Sequence, residues 1–345
     1  MYYKMKVEKL PELYALIASE KALYLPIEEA GAVEFRKWDE SSCVRLDCLN
    51  TLKSAKGVFL PQSENLVAFK TEGKNISVID NSETAFPFVI FGVRACDARS
   101  FDILDRVFLS DPVDTYYKTR RDNATVVTLA CSEPEETCFC RNFGIDAADP
   151  AGDASAWIVD GELYIRPNTE KGETFVSRLS QMLEEAADSD NEKLEAAKQS
   201  VRDILGKLPF AELNLDRFKG DNMLDIFHDP AWKPLSESCL GCGTCTYVCP
   251  TCQCYDIKDF DTGSGIQRYR TWDSCMFSDF TKTAGGQPRP SQVERFRQRF
   301  MHKLVYYPMN NDDIYGCVGC GRCVAKCPVS MNIVKVIKTL GGEKK

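Results

Sequence analysis

A chain of 345 residues is too long for one ordinary hydrophobic core and predicts two domains, or three. Its formal charge of −8 gives no indication of a nucleic-acid partner, and none is expected. The apolar runs fall short of the roughly 20 residues of a membrane helix, and the first residues lack the apolar stretch of a signal peptide. We therefore expect a cytoplasmic protein without a membrane partner.

The N-terminal two thirds of the chain mixes strand and helix patterns. Residues 1–230 alternate short β-rich runs with helical patterns, which predicts an α/β domain. Pro11 opens a first helix, because proline is favoured at the first helical position. Strands are then predicted at 22–25, 57–60 and 66–69.

The best-defined unit in this part is a βαβ unit. An apolar run at 88–93 is followed by a helical pattern with apolar residues on one face from Phe101 to Phe108, and then by a second strand at 125–130. Further along, Asp160-Gly161 between two apolar runs predicts a β-hairpin.

Two helices with polar faces are predicted after the hairpin, near 174–187 and 191–206. The proline-containing stretch 209–234 is expected to be a linker. Residues 231–345 then form a second, cysteine-rich domain. The helical pattern at 292–302 within it favours an α-helical ferredoxin-like domain.

The cysteine-rich part contains one motif twice. Both copies have the spacing C-x2-C-x2-C-x3-C-P; they run from Cys239 to Pro250 and from Cys317 to Pro328. This spacing supplies thiolates to [4Fe–4S] clusters, and in paired motifs the fourth cysteine of each run binds the other cluster. Zinc is the alternative, but it usually takes two C-x2-C pairs and leaves no role for a third evenly spaced cysteine.

The crossover rule gives two sets of ligands, one for each cluster. The first-run set is Cys239, Cys242, Cys245 and Cys327, and the second-run set is Cys317, Cys320, Cys323 and Cys249. In a reducing cytosol the 17 cysteines of the chain are more readily explained as metal ligands than as disulfides.

Four more cysteines follow the two strands of the βαβ unit, and we call them the strand-end set: Cys96, Cys131, Cys138 and Cys140. Strands joined by a right-handed crossover are parallel, so both strands end at the same edge of the sheet. The set is therefore expected to bind a third [4Fe–4S] cluster. The alternative is that these are small buried cysteines that pack as hydrophobic residues.

Several other residues are open to two interpretations. Three further cysteines lie close in sequence to the paired runs: Cys252, Cys254 and Cys275. We expect them either to line the paired clusters or, in the case of Cys252 or Cys254, to replace one of the assigned ligands. Cys43 and Cys48 are expected to pack in the protein interior.

Two cations lie inside the second run. Arg322 and Lys326 either raise the reduction potential of a nearby cluster or are solvated at the surface. The glycine-rich segment 284–289 lacks a phosphate-binding signature, so nucleotide binding is not expected.

At this point the residues resemble a known family. The sequence is similar to the iron–sulfur β subunit of cytosolic sulfhydrogenases and to the corresponding iron–sulfur subunit of anaerobic sulfite reductase. Besides the paired runs, the matching segments are Phe59-Leu-Pro-Gln-Ser-Glu64, Gly92-Val-Arg-Ala-Cys-Asp-Ala-Arg99, Leu104-Asp-Arg-Val-Phe108, Cys138-Phe-Cys140, Trp272-Asp-Ser-Cys275, Ala284-Gly-Gly286 and His302-Lys303.

The resemblance implies a non-catalytic electron-transfer subunit. In that family the subunit relays electrons between a flavoprotein subunit that handles NAD(P)H, expected to carry a 2Fe–2S motif, and a catalytic subunit. It also supports the third cluster. It does not choose between a hydrogenase, a sulfite reductase and a heterodisulfide-reductase-linked partner. The alternatives are a catalytic reductase that uses a cluster edge or a spare thiol such as Cys252, and an oxygen-sensing or redox-sensing protein.

Overall fold

The computed structural model describes residues 1–80 and 86–342, so five residues of the predicted N-terminal domain and three of the C-terminal domain lie outside it. The strands in the described part are β1 (Tyr3–Lys6), β2 (Ala22–Glu29), β3 (Ala32–Lys37), β4 (Cys43–Val44), β5 (Ser63–Glu72), β6 (Asn75–Asp80), β7 (Phe88–Val93), β8 (Ala124–Leu129), β9 (Ala154–Val159), β10 (Glu162–Pro167), β11 (Glu184–Glu185), β12 (Tyr255–Asp261) and β13 (Gly265–Trp272).

The α-helices of the described residues are α1 (Leu10–Glu20), α2 (Lys56–Phe59), α3 (Ala95–Phe108), α4 (Thr115–Asn123), α5 (Glu170–Arg178), α6 (Asp188–Lys207), α7 (Met223–Phe227), α8 (Trp232–Ser236), α9 (Thr244–Tyr247), α10 (Gln292–Met301), α11 (Tyr307–Met309), α12 (Arg322–Ala325) and α13 (Ile333–Gly341). Short 3-10 turns lie at Val7–Lys9, Cys140–Phe143, Asp216–Phe218 and Asp279–Thr281, and a π-helical turn at His302–Tyr306 continues α10. None of these helices is long and apolar enough to cross a membrane.

A mixed nine-stranded sheet forms the centre of the N-terminal part. Its order is β11-β1-β10-β9-β8-β7-β2-β3, with β4 paired to β2. The strands β2, β7, β8 and β9 run parallel, and every residue of β7 and β8 is buried. Helices α1 and α5 cover one face of the sheet, while α2, α3 and α4 cover the other. Burial on both faces explains why β7 and β8 are continuous apolar runs.

The predicted βαβ unit and hairpin are both present. Parallel β7 and β8 are joined through α3, and β9 pairs antiparallel with β10. Asp160 and Gly161 have φ of +51° and +79° in the turn between β9 and β10. Two positive φ values are the requirement of a type I′ hairpin turn, which Asp-Gly satisfies.

Three predictions from the sequence were wrong. Residues 57–60 were expected to be a strand, but α2 occupies most of them and packs Phe59 against Phe101 of α3, because a short apolar run does not distinguish strand from helix. The helix expected at 174–187 begins earlier and ends at Arg178, because β11 pairs with β1 at the edge of the sheet. The stretch 209–234, expected to be a linker, contains α7 and most of α8, which bury Ile226 and Trp232.

A second sheet joins the two halves of the chain. Its order is β12-β13-β5-β6, and all of its pairs are antiparallel. The partners β5 and β13 are about two hundred residues apart in sequence, so no local pattern predicts their pairing. The sheet places Trp272, the last residue of β13, against α2 of the N-terminal part.

Candidate metal centres

The two cysteine runs fold into loops of the same conformation. The loop of the first run leads into the short helix α9, and the loop of the second run leads into α12. The first glycines of the runs, Gly241 and Gly319, have φ of +66° and +61°, and the second glycines, Gly243 and Gly321, have +75° and +79°. In both runs the N–H of the first glycine donates to the thiol of the first cysteine, with an N to Sγ distance of 3.5 Å. The repeat in the sequence is therefore a repeat in the structure, and it depends on the positive φ that glycine adopts freely.

The second-run set lies around one cavity. Cys317, Cys320 and Cys323 line it together with Cys249 of the first run. Burial raises the pKa of the three second-run thiols, and the charge of Cys249 raises each pKa further. Cys249, which the paired motif assigns to this set, therefore lies at the same cavity as the three cysteines of the second run.

The first-run set lies nearer the surface. Cys239, Cys245 and Cys327 pack on the same apolar core, formed largely by α8, α10 and α13, whereas Cys242 is exposed. Burial raises the pKa of Cys245 to about 11, with further contributions from Cys239, Cys249 and Cys323. The last two thiols belong to the second-run set, so the two sets are neighbours.

Two buried cations face these thiols without a carboxylate partner. Arg299 and Lys303 are 2% and 5% exposed, and none of the ion pairs among the described residues includes either of them. Arg299 donates to the carbonyl oxygen of Cys245 at 3.0 Å, while its Nε and Nη1 have no hydrogen-bond partner. Lys303 donates to Thr251 Oγ1 at 2.7 Å and to the Gly316 carbonyl at 3.0 Å.

A buried charge without a counter-charge is costly. Burial alone would lower the pKa of Lys303, but the thiolates of Cys249, Cys252 and Cys317 raise it. Thiolates bound to iron would supply the counter-charge that these cations lack, so a negatively charged iron–sulfur group fits this environment.

The strand-end set also comes together. Cys96 lies in the first turn of α3, just after β7, and Cys131 follows β8. Cys138 and Cys140 lie on the loop that follows Cys131, which folds back towards the ends of β7 and β8. All four cysteines contact one apolar cluster. Burial raises the pKa of Cys140 to about 12, and the charges of Cys131 and Cys138 raise it further. Burial and the charge of Cys140 likewise raise the pKa of Cys96.

Arg94 is a third buried cation without a carboxylate partner among the described ion pairs. Its guanidinium donates to main-chain carbonyls, those of Ala130 at 2.7 Å, Cys48 at 3.3 Å and Leu46. The thiols of Cys131 and Cys96 lie close enough to affect its pKa. The strand-end set thus resembles the paired runs: in both, buried thiols lie beside a buried cation that has no carboxylate partner among the described ion pairs.

The second run packs directly on the loop of the strand-end set. The N–H of Phe139 donates to the carbonyl of Gly319 at 2.9 Å. Arg322 forms two hydrogen bonds to Asp97, at 2.6 and 2.9 Å, and is buried between Cys96 and Cys320. Of the two cations in the second run, Arg322 is therefore inside the protein.

Other sequence expectations have mixed outcomes. Lys326 and Cys43 are exposed, so the expectation that Cys43 packs was wrong. Among the residues that the structure describes, no three or more His, Cys, Asp or Glu are arranged to hold a single metal ion. Zinc needs four ligands on one ion, whereas the ligands of a cubane cluster bind different irons.

Lys56 was missed by the sequence analysis. It is 1% exposed, and its ammonium group donates to the carbonyls of Cys249 at 3.0 Å and Cys252 at 2.8 Å. The ammonium also lies 3.8 Å from the ring centroid of Trp272. A lysine within the apolar segment 55–60 was the only local signal for this burial.

These sites define an iron–sulfur protein, and residues 238–331 match the 4Fe-4S dicluster domain family. Over 343 residues the chain is 32% identical to the sulfhydrogenase 2 subunit beta of Pyrococcus furiosus, and the alignment covers 97% of each chain. The chain therefore belongs to the family of sulfhydrogenase beta subunits. No solved structure matches it.

Proposed function

We propose that this chain is the electron-transfer iron–sulfur subunit of a multi-subunit oxidoreductase. The observation that carries the proposal is the continuity of the three cysteine sets. Cys245 of the first-run set neighbours Cys323 of the second-run set, and Cys320 of the second-run set neighbours Cys96 of the strand-end set. Three redox groups held in this order would form a path through the protein.

The proposed ligands are the twelve cysteines of the three sets. One [4Fe–4S] cluster is held by the first-run set, a second by the second-run set with Cys249, and a third by the strand-end set. The cavity around Cys249, the matching loops of the two runs and the shared apolar cluster of the strand-end set support these assignments. A bound [4Fe–4S] cluster accepts and releases electrons at a potential that its surroundings set.

The protein's own residues have two tasks in this proposal. The apolar core around α10 and α13 keeps water from the thiolates, and the N–H groups of Gly241 and Gly319 donate to sulfur. Arg299, Lys303 and Arg94 supply positive charge that no carboxylate among the described ion pairs cancels. A cation near a cluster favours its more negative reduced state and so raises its reduction potential.

We assign residues 1–230 to an α/β domain and residues 231–345 to a helical ferredoxin-like domain. The helices α8, α9, α10, α12 and α13, which lie around the paired runs, support the second assignment. The expected partners are a flavoprotein subunit that handles NAD(P)H and a catalytic hydrogenase or reductase subunit. The similarity to a protein named as a sulfhydrogenase beta subunit supports the existence of such partners.

Purification of the native complex under anaerobic conditions tests this function. A relay subunit should copurify with a flavoprotein that contains a 2Fe–2S motif, and the isolated chain should not oxidise NADH. Oxidation of NADH by the isolated chain would show that it is a catalytic reductase instead.

A further inference from the structure

The proposed path comes closest to the surface at the first run. Of the twelve cysteines assigned to clusters, all of which the structure describes, Cys242 alone is exposed. It lies in the turn between Gly241 and Gly243, and two residues before it the Leu240 side chain is 66% exposed. Because electron transfer weakens with distance, the first-run set is the end of the path that another protein can approach most closely.

The chain segment 277–292 borders this turn on two sides. At its start the ring of Phe277 packs on Gly243, where a Cβ atom would lie 2.6 Å from the ring. At its end the side chain of Gln292 packs on Gly241, where a Cβ atom would lie 3.1 Å from the amide oxygen. The charges that this segment carries therefore lie around the exposed turn.

Three cations of this segment and of the start of α10 form what we call the basic collar: Lys282, Arg289 and Arg295. Lys282 is exposed, and the two arginines are half-buried. Arg295 donates to the carbonyl of Arg289 at 2.9 Å, while its Nε has no hydrogen-bond partner. No ion pair within residues 1–80 and 86–342 includes any of the three. The protein's own carboxylates therefore leave the charge of the collar uncancelled.

Two carboxylates lie in the same stretch of sequence, and neither neutralises the collar. Glu294 accepts a hydrogen bond of 2.7 Å from the N–H of Ser291 and so caps α10, while Asp279 is exposed and forms no ion pair with the collar. The chain as a whole has a formal charge of −8, yet residues 231–345 contain more Lys and Arg than Asp and Glu. Uncancelled positive charge at the exposed end of the path is complementary to an acidic partner.

We propose that Leu240, Cys242 and the basic collar form the docking surface for a redox protein that presents carboxylates around its own redox group. The inference rests on the proposed electron-transfer function and adds the face at which electrons cross to a partner and the charge of that partner. Leu240 supplies apolar contact at the centre, and the collar supplies a charged rim, as in other protein interfaces.

The docking surface serves the transfer of one electron in each encounter. The electron passes between the partner's redox group and the first-run cluster, so one of the two is oxidised as the other is reduced. The charges of the collar attract and orient the partner, which speeds the encounter and makes its rate depend on salt.

Charge reversal in the collar tests the electrostatic part of this proposal. The test variant is Lys282→Glu/Arg289→Glu. The control is Lys9→Glu/Lys193→Glu, which changes the net charge equally at two exposed lysines that form no ion pair in the described part of the chain. Both variants should retain the iron content of the unmodified chain.

The probes are anionic ferricyanide and cationic hexaammineruthenium(III), each mixed anaerobically with the reduced full chain that carries its iron–sulfur groups. At low ionic strength the collar variant should be oxidised about tenfold more slowly by ferricyanide than the control variant, and faster by the ruthenium complex. High salt should remove both differences. Equal rates in the collar and control variants would overturn the proposal.

The native complex tests the partner. In native mass spectrometry across a series of salt concentrations, the collar variant should release a redox subunit at lower salt than the control variant. Equal retention by both variants would overturn the docking surface alone, whereas a chain that purifies without any partner would contradict the proposed function as well. A dimer of the isolated chain that the collar variant dissociates would assign this face to a second copy and would also overturn the proposal.

Discussion

Replacing Gly319 with alanine should disrupt the packing of the second run on the strand-end loop. A Cβ atom at this position would meet the carbonyl carbon and oxygen of Phe139 at 2.6 Å and the Cα of Cys140 at 2.7 Å. These are main-chain atoms of the loop that carries two strand-end thiols, so they cannot move without displacing that loop. We therefore expect loss of iron from the strand-end set in particular.

Gly241→Ala is the matched control in the first run. Its φ of +66° is close to the +61° of Gly319, so both alanines carry a similar left-handed strain of roughly 1–2 kcal/mol. A Cβ on Gly241 would meet only the end of the flexible Gln292 side chain, at 3.1 Å or more. The difference between the variants is then the overpacking at Gly319, about 1–3 kcal/mol.

The assay is the rate of iron release from the two variants in anaerobic urea, together with iron content after purification. If the whole free-energy cost of overpacking lowers the barrier to iron release, Gly319→Ala should lose iron about 5- to 150-fold faster than Gly241→Ala. It should also retain about four irons fewer. Equal rates and equal iron contents would refute the claim that the second run packs directly on the strand-end loop.

Three further predictions address the charges, the role of iron and the cofactor content. Arg299→Met should lower the midpoint potential of a paired cluster by tens of millivolts in a titration monitored by electron paramagnetic resonance. The control is Arg297→Met, because the Arg297 guanidinium stacks on Phe227, and this variant should leave the midpoint potential unchanged. Equal midpoint potentials in the two variants would contradict the role of Arg299. Chelation of iron from the full chain should expose the segment after residue 235 to protease, because metal bound only by the native state stabilises it, and unchanged protection would refute this dependence. Acid extraction of the isolated chain should release no flavin or nicotinamide, and stoichiometric FAD or FMN would reveal a missed site.

Local patterns predicted the elements that one short segment determines. The continuous apolar run of β7 and the one-sided apolar pattern of α3 are sufficient to indicate the βαβ unit. Asp160 and Gly161 indicate their own turn. By contrast, the pairing of β5 with β13 depends on chain segments far apart in sequence, and no local pattern contains that information.

The cysteine sites show the same division. The spacing of the two runs indicates their ligands, because cluster geometry is reflected in the intervals between cysteines. Arg299 and Lys303 are four residues apart, a spacing that in sequence indicates the solvent-exposed face of a helix. They are buried because the facing sulfurs supply the opposite charge, which depends on tertiary contacts with the two runs.

The burial of Lys56 was not predicted for a related reason. Lys56 binds the carbonyls of Cys249 and Cys252 from a helix that precedes them by nearly two hundred residues.

The most direct test of the proposed three-cluster path is the iron content of the Cys138→Ser/Cys140→Ser double variant against the unmodified chain, after full anaerobic reconstitution. Three [4Fe–4S] clusters require about twelve irons per chain, and the double variant should retain about eight. The paramagnetic resonance signal of the paired clusters should persist in the variant. About eight irons in the unmodified chain, or no loss in the double variant, would show that the strand-end set is not a cluster site and that its cysteines are packing residues.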